Sequence, residues 1–260
     1  MPVVTTVADI VAALAETTHP ENAASWDPVG LQLGNPSASV EKVAICHEVT
    51  EEVIGALGRR RCEMLVTYHP LLFTKTNRIV AGRSAEARAF SLIQLGVNLL
   101  VTHTDFDALD GGTADALASV FKLRGVTPFG GDLDNGEPHI GRYGLFEGTL
   151  AVVDAMAADA FGSSGLRISG DPSKPIEHLA VIPGSGSDFL EQAAQVADAV
   201  VTGDVGHHRV VRALDLGLAV VDPGHTATER PGMGVLVGLV GELGDVEVVD
   251  LTKLDPSTWE

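Results

Sequence analysis

Two stretches of this chain, about residues 40–107 and 178–229, follow one plan. Each runs strand, helix, strand with a polar tip, helix, strand with a polar tip. In the first, the apolar runs Val43–Cys46, Met64–Thr67 and Val97–Thr102 alternate with helix-spaced segments Thr50–Leu57 and Ala85–Leu95. In the second, Leu179–Ile182, Ala199–Thr202 and Leu218–Val221 alternate with Phe189–Val196 and Val210–Leu216. Gly96 and Gly217 stand where helices should stop. Short buried strands joined through helices require parallel pairing with right-handed crossovers. The repetition lies in the order of elements and not in residue identity. The expected fold is α/β, with two α/β lobes of mixed, mostly parallel sheets.

The remaining segments fill in that plan. Thr6–Thr17 has helical spacing with Thr6 as its cap, and Pro20 ends it. Lys122–Pro138 is rich in Gly, Pro, Asp and Asn, which suits a lobe boundary or a surface excursion. The lobes are therefore expected at about 1–125 and 126–260. Tyr143–Glu147, Val152–Phe161 and Leu166–Ser169 read as strand, helix and strand. Val235–Val240 and Val246–Leu251 read as two hairpin strands that can pack back on the first lobe.

Composition excludes several classes. With 17 basic and 35 acidic residues the net charge is −18, a field that repels nucleic-acid phosphates and anionic membranes. No apolar run reaches the about 18 residues of a membrane span. Met1–Thr5 lacks a basic flank, and the two cysteines, Cys46 and Cys62, have no redox or metal spacing. A cytoplasmic protein with neither membrane nor nucleic acid as partner is expected.

The chemistry sits at the strand ends. His69, His103, Asp107, His208, His225 and Glu229 each fall within a few residues of the C-terminal end of an expected buried strand. In open parallel sheets that edge is where ligands bind. After the turn Asp222-Pro223-Gly224, His225 and Glu229 are four residues apart, so they share one face of a helix starting there. Two such edges facing each other would gather His69, Asp107, His225 and Glu229. Mixed imidazole and carboxylate ligation suits Zn, Mn, Fe or Co rather than calcium.

Each residue taken singly has a plainer reading. His69 before Pro70 could be a turn residue, and Asp107 could cap a helix. His103 reads as a hydrogen-bond partner behind a ligand. Asp204 and His208 stay open between a pocket and loop packing. His47, His19, His139 and His178 are read as surface or structural. Pro183-Gly184-Ser185-Gly186-Ser187 could cradle an anion or form a tight turn. The chain carries no P-loop, dinucleotide fingerprint or GxSxG elbow.

Laid out in order, these segments resemble the NIF3-like family, also called the dinuclear-metal-centre or GTP cyclohydrolase 1 type 2 homologue family. Trp26-Asp27-Pro28-Val29-Gly30-Leu31-Gln32-Leu33-Gly34 is similar to its WDNVGLQ-G motif, and Tyr68-His69-Pro70-Leu71-Leu72-Phe73 to HHPL-F. His103-Thr104-Asp105-Phe106-Asp107, with Gly111-Gly112 and Asp115-Ala116-Leu117-Ala118, resembles HTNLD…GG…DALA. Thr202-Gly203-Asp204 with His208 resembles TGD…H, and Asp222-Pro223-Gly224-His225 with Glu229 resembles D-GH…E.

The resemblance implies two lobes, a metal pair between them and a ring-shaped homohexamer. The matching ligand positions are His69, Asp107, His225 and Glu229, holding one or two divalent ions (Zn, Fe or Mn) per chain. It implies a metal-dependent hydrolase of a small nucleotide-like substrate, with Tyr68, His103 or His208 ligating or working beside the ion. A non-catalytic metal-binding or assembly protein is the alternative. Two departures bear on this. Tyr68 replaces one imidazole of the His-His pair, and Cys46-His47-Glu48-Val49-Thr50 has Glu48 where the LDVT segment has Asp.

Overall fold

Parallel strands buried on both faces dictate the centre of each half of this chain. The computed structural model of the protein describes residues 5–132, 135 and 137–254. Met1–Val4, most of the stretch that lacks a basic flank, and residues 133, 134 and 136 of the turn-rich stretch lie outside the described residues. The chain divides into two units: the part up to Phe106 joined by the part from Leu236, and Asp107–Val235. The chain passes from one unit to the other inside two helices, α4 (Thr104–Ala108) and α9 (His225–Gly241).

The first unit holds a five-stranded sheet, ordered β1-β4-β3-β2-β11. Its strands are β1 (Gly30–Leu33), β2 (Lys42–Cys46), β3 (Met64–Thr67), β4 (Asn98–Val101) and β11 (Glu247–Asp250). β2, β3, β4 and β11 pair in parallel, and β1 closes the far edge antiparallel to β4. Thr6 and Asp9 form a reciprocal capping box that starts α1 (Val7–Thr18). Thr50 caps α2 (Glu51–Arg60) and Ser84 caps α3 (Ala85–Leu95), which Gly96 stops at φ +70°. These two helices bury Val53, Leu57, Ala89 and Leu92 against Ala44, Leu65 and Leu99.

The second unit holds a six-stranded sheet, ordered β5-β6-β8-β9-β10-β7. These are β5 (Arg124–Phe129), β6 (Gly141–Thr149), β7 (Arg167–Ser169), β8 (Pro175–Ser185), β9 (Ala199–Gly203) and β10 (Ala219–Asp222). β8, β9 and β10 are parallel, while β5, β6 and β7 pair antiparallel, so this sheet is mixed. One face is covered by α5 (Thr113–Val120) and α6 (Leu150–Phe161), through Leu117, Leu150 and Val153 on Leu179, Val181 and Val201. The other carries α7 (Leu190–Val196) and α8 (His207–Asp215), through Leu190 and Ala213 on Ala180, Val200 and Val220.

Two expected elements differ. The turn-rich stretch contains β5, paired with β6. Val235–Val240, expected as a strand, is the last part of α9. The buried residues there are Met233, Leu236 and Val240, spaced by three and four, which is a helical stripe inside an apolar run too short to classify by composition.

Candidate metal centre

The ends of β2, β3 and β4 place four aromatic rings together in the first unit. Just beyond the register pair Cys46–Thr67, His47 and Tyr68 follow on neighbouring strands. Their rings stack at 5.4 Å with planes 11° apart. His69 lies 4.4 Å from His47 and 5.5 Å from His103, centroid to centroid. His103 packs edge-on against Tyr68 at 5.2 Å. His47 and Tyr68 are 2% and 0% exposed.

Carboxylates aim these imidazoles. His69 Nδ1 lies 2.9 Å from Glu48 Oε2, and His103 Nδ1 lies 3.0 Å from Asp27 Oδ2. A ring whose Nδ1 carries the proton towards a carboxylate has Nε2 left as a lone-pair donor, the arrangement by which proteins orient metal-binding histidines. Burial pushes the Glu48 carboxyl up, but the hydrogen bond and charge of His69, with His47 and Arg88 behind them, outweigh it and hold the group below the usual carboxylate range. Asp27 behaves alike. Burial raises it, and His103 and Thr104 together bring it below its ordinary value. Asp105, by contrast, is pushed up by burial despite hydrogen bonds from the His103 amide, Thr18 and Thr102.

The Trp26–Gly34 motif therefore has a structural meaning. Asp27 Oδ2 accepts from His103 and from both the amide and hydroxyl of Thr104, at 3.0 and 2.5 Å for the latter two. Gln32 clasps the loop after His69, donating to Leu72 O at 3.2 Å and accepting from Leu72 N at 2.9 Å. Replacing Asp27 by Ala leaves three donors short of an acceptor. The expected cost is about 1–3 kcal/mol of stability, with divalent-metal affinity about 10–100-fold weaker. Denaturant unfolding and metal titration check the two effects separately.

In the second unit, further candidate residues follow the ends of β9 and β10. Asp222-Pro223-Gly224 turns the chain off β10, and α9 begins with His225. His225 Nε2 lies 3.0 Å from Glu229 Oε1, and His225 Nδ1 lies 2.8 Å from Asp204 Oδ2. Asp204 adopts a left-handed φ of +57°, a local strain that turns its carboxylate onto the imidazole. Glu229 is buried. Thr228 accepts from Gly184 N at 2.9 Å and donates to His225 O at 2.7 Å, tying the first turn of α9 to β8.

The expected site residues thus fall as follows. The first unit brings His69, His103 and Tyr68 together; the second brings His225 and Glu229 together. Asp107 is buried in α4. His208 is exposed on the first turn of α8, its ring 5.3 Å from that of His207. Among the described residues it belongs to no group of three or more potential ligands. The glycine-rich run is no open anion cradle: the Gly184 and Gly186 amides bond to Thr228 and Thr202 hydroxyls. His47, read above as surface or structural, is buried in the ring cluster. The signal for it was available, since His47 follows β2 as Tyr68 follows β3.

Three comparisons bear on this arrangement. The family model Duf34/NIF3 (NGG1p interacting factor 3) matches residues 5–256. A protein of Streptomyces coelicolor named GTP cyclohydrolase 1 type 2 homolog is 31% identical over 269 residues, 97% of this chain and 93% of that one. A protein of the same name from Clostridium perfringens is 31% identical over 210 residues, 79% of this chain and 80% of its own. Among solved structures, reduced HcgD from Methanocaldococcus jannaschii superposes with TM-score 0.82 at 26% identity, over 96% of this chain and 98% of that one. The Bacillus cereus protein related to NIF3 has TM-score 0.86 at 20% identity, over 97% of this chain and 98% of that one. With the family model covering all but a few terminal residues, the chain belongs to the Duf34/NIF3 family.

Proposed function

We propose that this chain is a metal-dependent hydrolase of a small nucleotide-like substrate, with His69, Asp107, His225 and Glu229 holding one or two divalent ions. The observation that carries the reading is the threefold repetition of one device: His69, His103 and His225 each have Nδ1 against a carboxylate. His47 and His69 of the first unit, 4.4 Å apart by ring centroids, are besides a pair of imidazoles that could hold a metal ion. The donor set fits zinc, iron or manganese. When bound, such an ion supplies a Lewis acid and a water whose pKa falls to near neutral. Glu48, Asp27 and Asp204, each against an Nδ1, favour the tautomer whose Nε2 ligates, and His103 would carry a proton beside the ion or ligate it. The name shared by the relatives, GTP cyclohydrolase 1 type 2 homolog, supports a nucleotide-like substrate.

The homohexamer implied by the family resemblance, and a cytoplasmic location suited to the buried thiols of Cys46 and Cys62, belong to the same proposal. A second reading, metal binding without catalysis, is favoured by Tyr68 in place of an imidazole. Metal analysis of purified protein, followed by turnover assays over nucleotides and phosphoesters, separates the two. The expected result is bound transition metal, its loss in Asp107→Ala, and metal-dependent turnover in the wild type. Bound metal without turnover across the panel would favour the second reading. A protein that stays metal-free after incubation with zinc, manganese and iron would end both.

A further inference from the structure

We propose that His47 is a metal ligand in this chain, supplying from the end of β2 the imidazole that Tyr68 removes from the end of β3. This rests on the metal-centre reading above. Two departures from the family pattern, seen separately in sequence, coincide in space. Tyr68 stands where the HHPL-F motif has its first histidine, and His47 stands where the LDVT segment has leucine.

The sheet register explains why one change can answer the other. Cys46 pairs with Thr67, Tyr68 N donates to Cys46 O at 3.1 Å, and His69 N donates to His47 O at 3.0 Å. The next residues along, His47 and Tyr68, are therefore side by side, and successive residues of a strand alternate faces. Both side chains leave the same face, which their near-parallel stacking confirms. A ligand atom carried by either position reaches the same patch. His47 is already 4.4 Å from His69 by ring centroids, so two imidazoles of the first unit meet at this patch.

The chemistry favours the imidazole over the phenol. Neutral imidazole ligates without losing a proton, whereas a phenol must become phenolate, against an ordinary pKa near 10. Tyr68 is enclosed by the rings of His47, His69, His103 and Phe106. Its ring packs against those of His47 and His103.

The test uses metal-stripped protein titrated with zinc and with cobalt(II). Ions per chain are counted by metal analysis, and the ligand field is read from the cobalt(II) visible spectrum. His47→Leu is expected to weaken one ion at least about tenfold and to change the cobalt spectrum, while Tyr68→Phe leaves both as in the wild type. The double variant His47→Leu with Tyr68→His moves the imidazole back and is expected to restore binding, which a merely structural role for His47 would not predict. His47→Gln, which keeps a polar side chain, serves if the leucine variant does not fold. His69→Ala reports on the centre itself. Wild-type binding in His47→Leu or His47→Gln, beside loss in His69→Ala, would overturn the proposal and leave the centre standing. Loss in Tyr68→Phe would overturn it by making the phenol the ligand. Unchanged binding in His69→Ala would remove the centre reading and this proposal together.

Discussion

Replacing Arg142 by Ala is expected to lower the unfolding free energy by about 3–5 kcal/mol, the cost of stripping one partner from a buried charged network. Arg142, on β6, is 1% exposed. Its Nε donates to Asp115 Oδ2 at 3.0 Å. Its terminal nitrogens donate to the carbonyls of His139, Gly141, Ala108 and Leu109, all at 3.0 or 3.1 Å. The guanidinium fork thus closes the open carbonyls at the end of α4, the helix that carries Asp107. Alanine would leave those acceptors and the Asp115 charge unanswered. Lysine offers a single ammonium in place of a planar fork, so Arg142→Lys should recover only part of the loss. Melting should fall by roughly 2–4 °C per kcal/mol, and metal affinity should fall with it as Asp107 loses its support. Arg124→Ala is the control: its pair with Glu147 is exposed on both sides, and such pairs contribute about 0–1 kcal/mol. If Arg142→Ala melts no lower than that control, the network does not stabilise the fold.

Gly203→Ala is expected to damage both stability and metal binding. Gly203 ends β9, where the backbone of the β10–α9 corner crosses it. A Cβ there would sit 2.5 Å from His225 N, 2.6 Å from His225 Cα and 2.7 Å from the Gly224 carbonyl carbon. Those are main-chain atoms, which cannot swing aside as a side chain can. The cost should reach or exceed the about 1–3 kcal/mol of ordinary overpacking, and His225 should be pushed off Asp204.

Gly184→Ala makes the contrast. Its Cβ would meet Glu229 Oε1 at 2.5 Å and His225 Nε2 at 3.2 Å, on a residue with φ +62°. That clash falls on side chains, so affinity should drop with a stability loss of about 1–3 kcal/mol from the strained backbone. Gly206→Ala, with nothing within 4 Å of the added carbon, should bind metal and melt as the wild type does. Thermal melts and zinc titrations of the three variants settle the order. Equal behaviour in all three would show that close backbone approach does not shape this site.

Much of this protein could be read in order along the chain. Strand and helix positions in both blocks follow from local patterning, because apolar runs of four or five residues and capped, Gly-stopped helices carry their signals within a few residues. The tip residues His69, His103 and His225 were legible for the same reason: each lies at the end of a buried strand.

Other features belong to tertiary structure. Val235–Val240 is the last part of a helix whose buried residues Met233, Leu236 and Val240 recur at spacings of three and four, a periodicity that composition alone does not separate from a strand. The carboxylates that aim the imidazoles come from 21 residues away for Glu48 and Asp204, and from 76 for Asp27. No local pattern links such pairs; only the packing of strand ends does. His47 is the sharpest case. Sequence shows a histidine one residue before Glu48, but parallel register is what sets its ring against Tyr68 and beside His69.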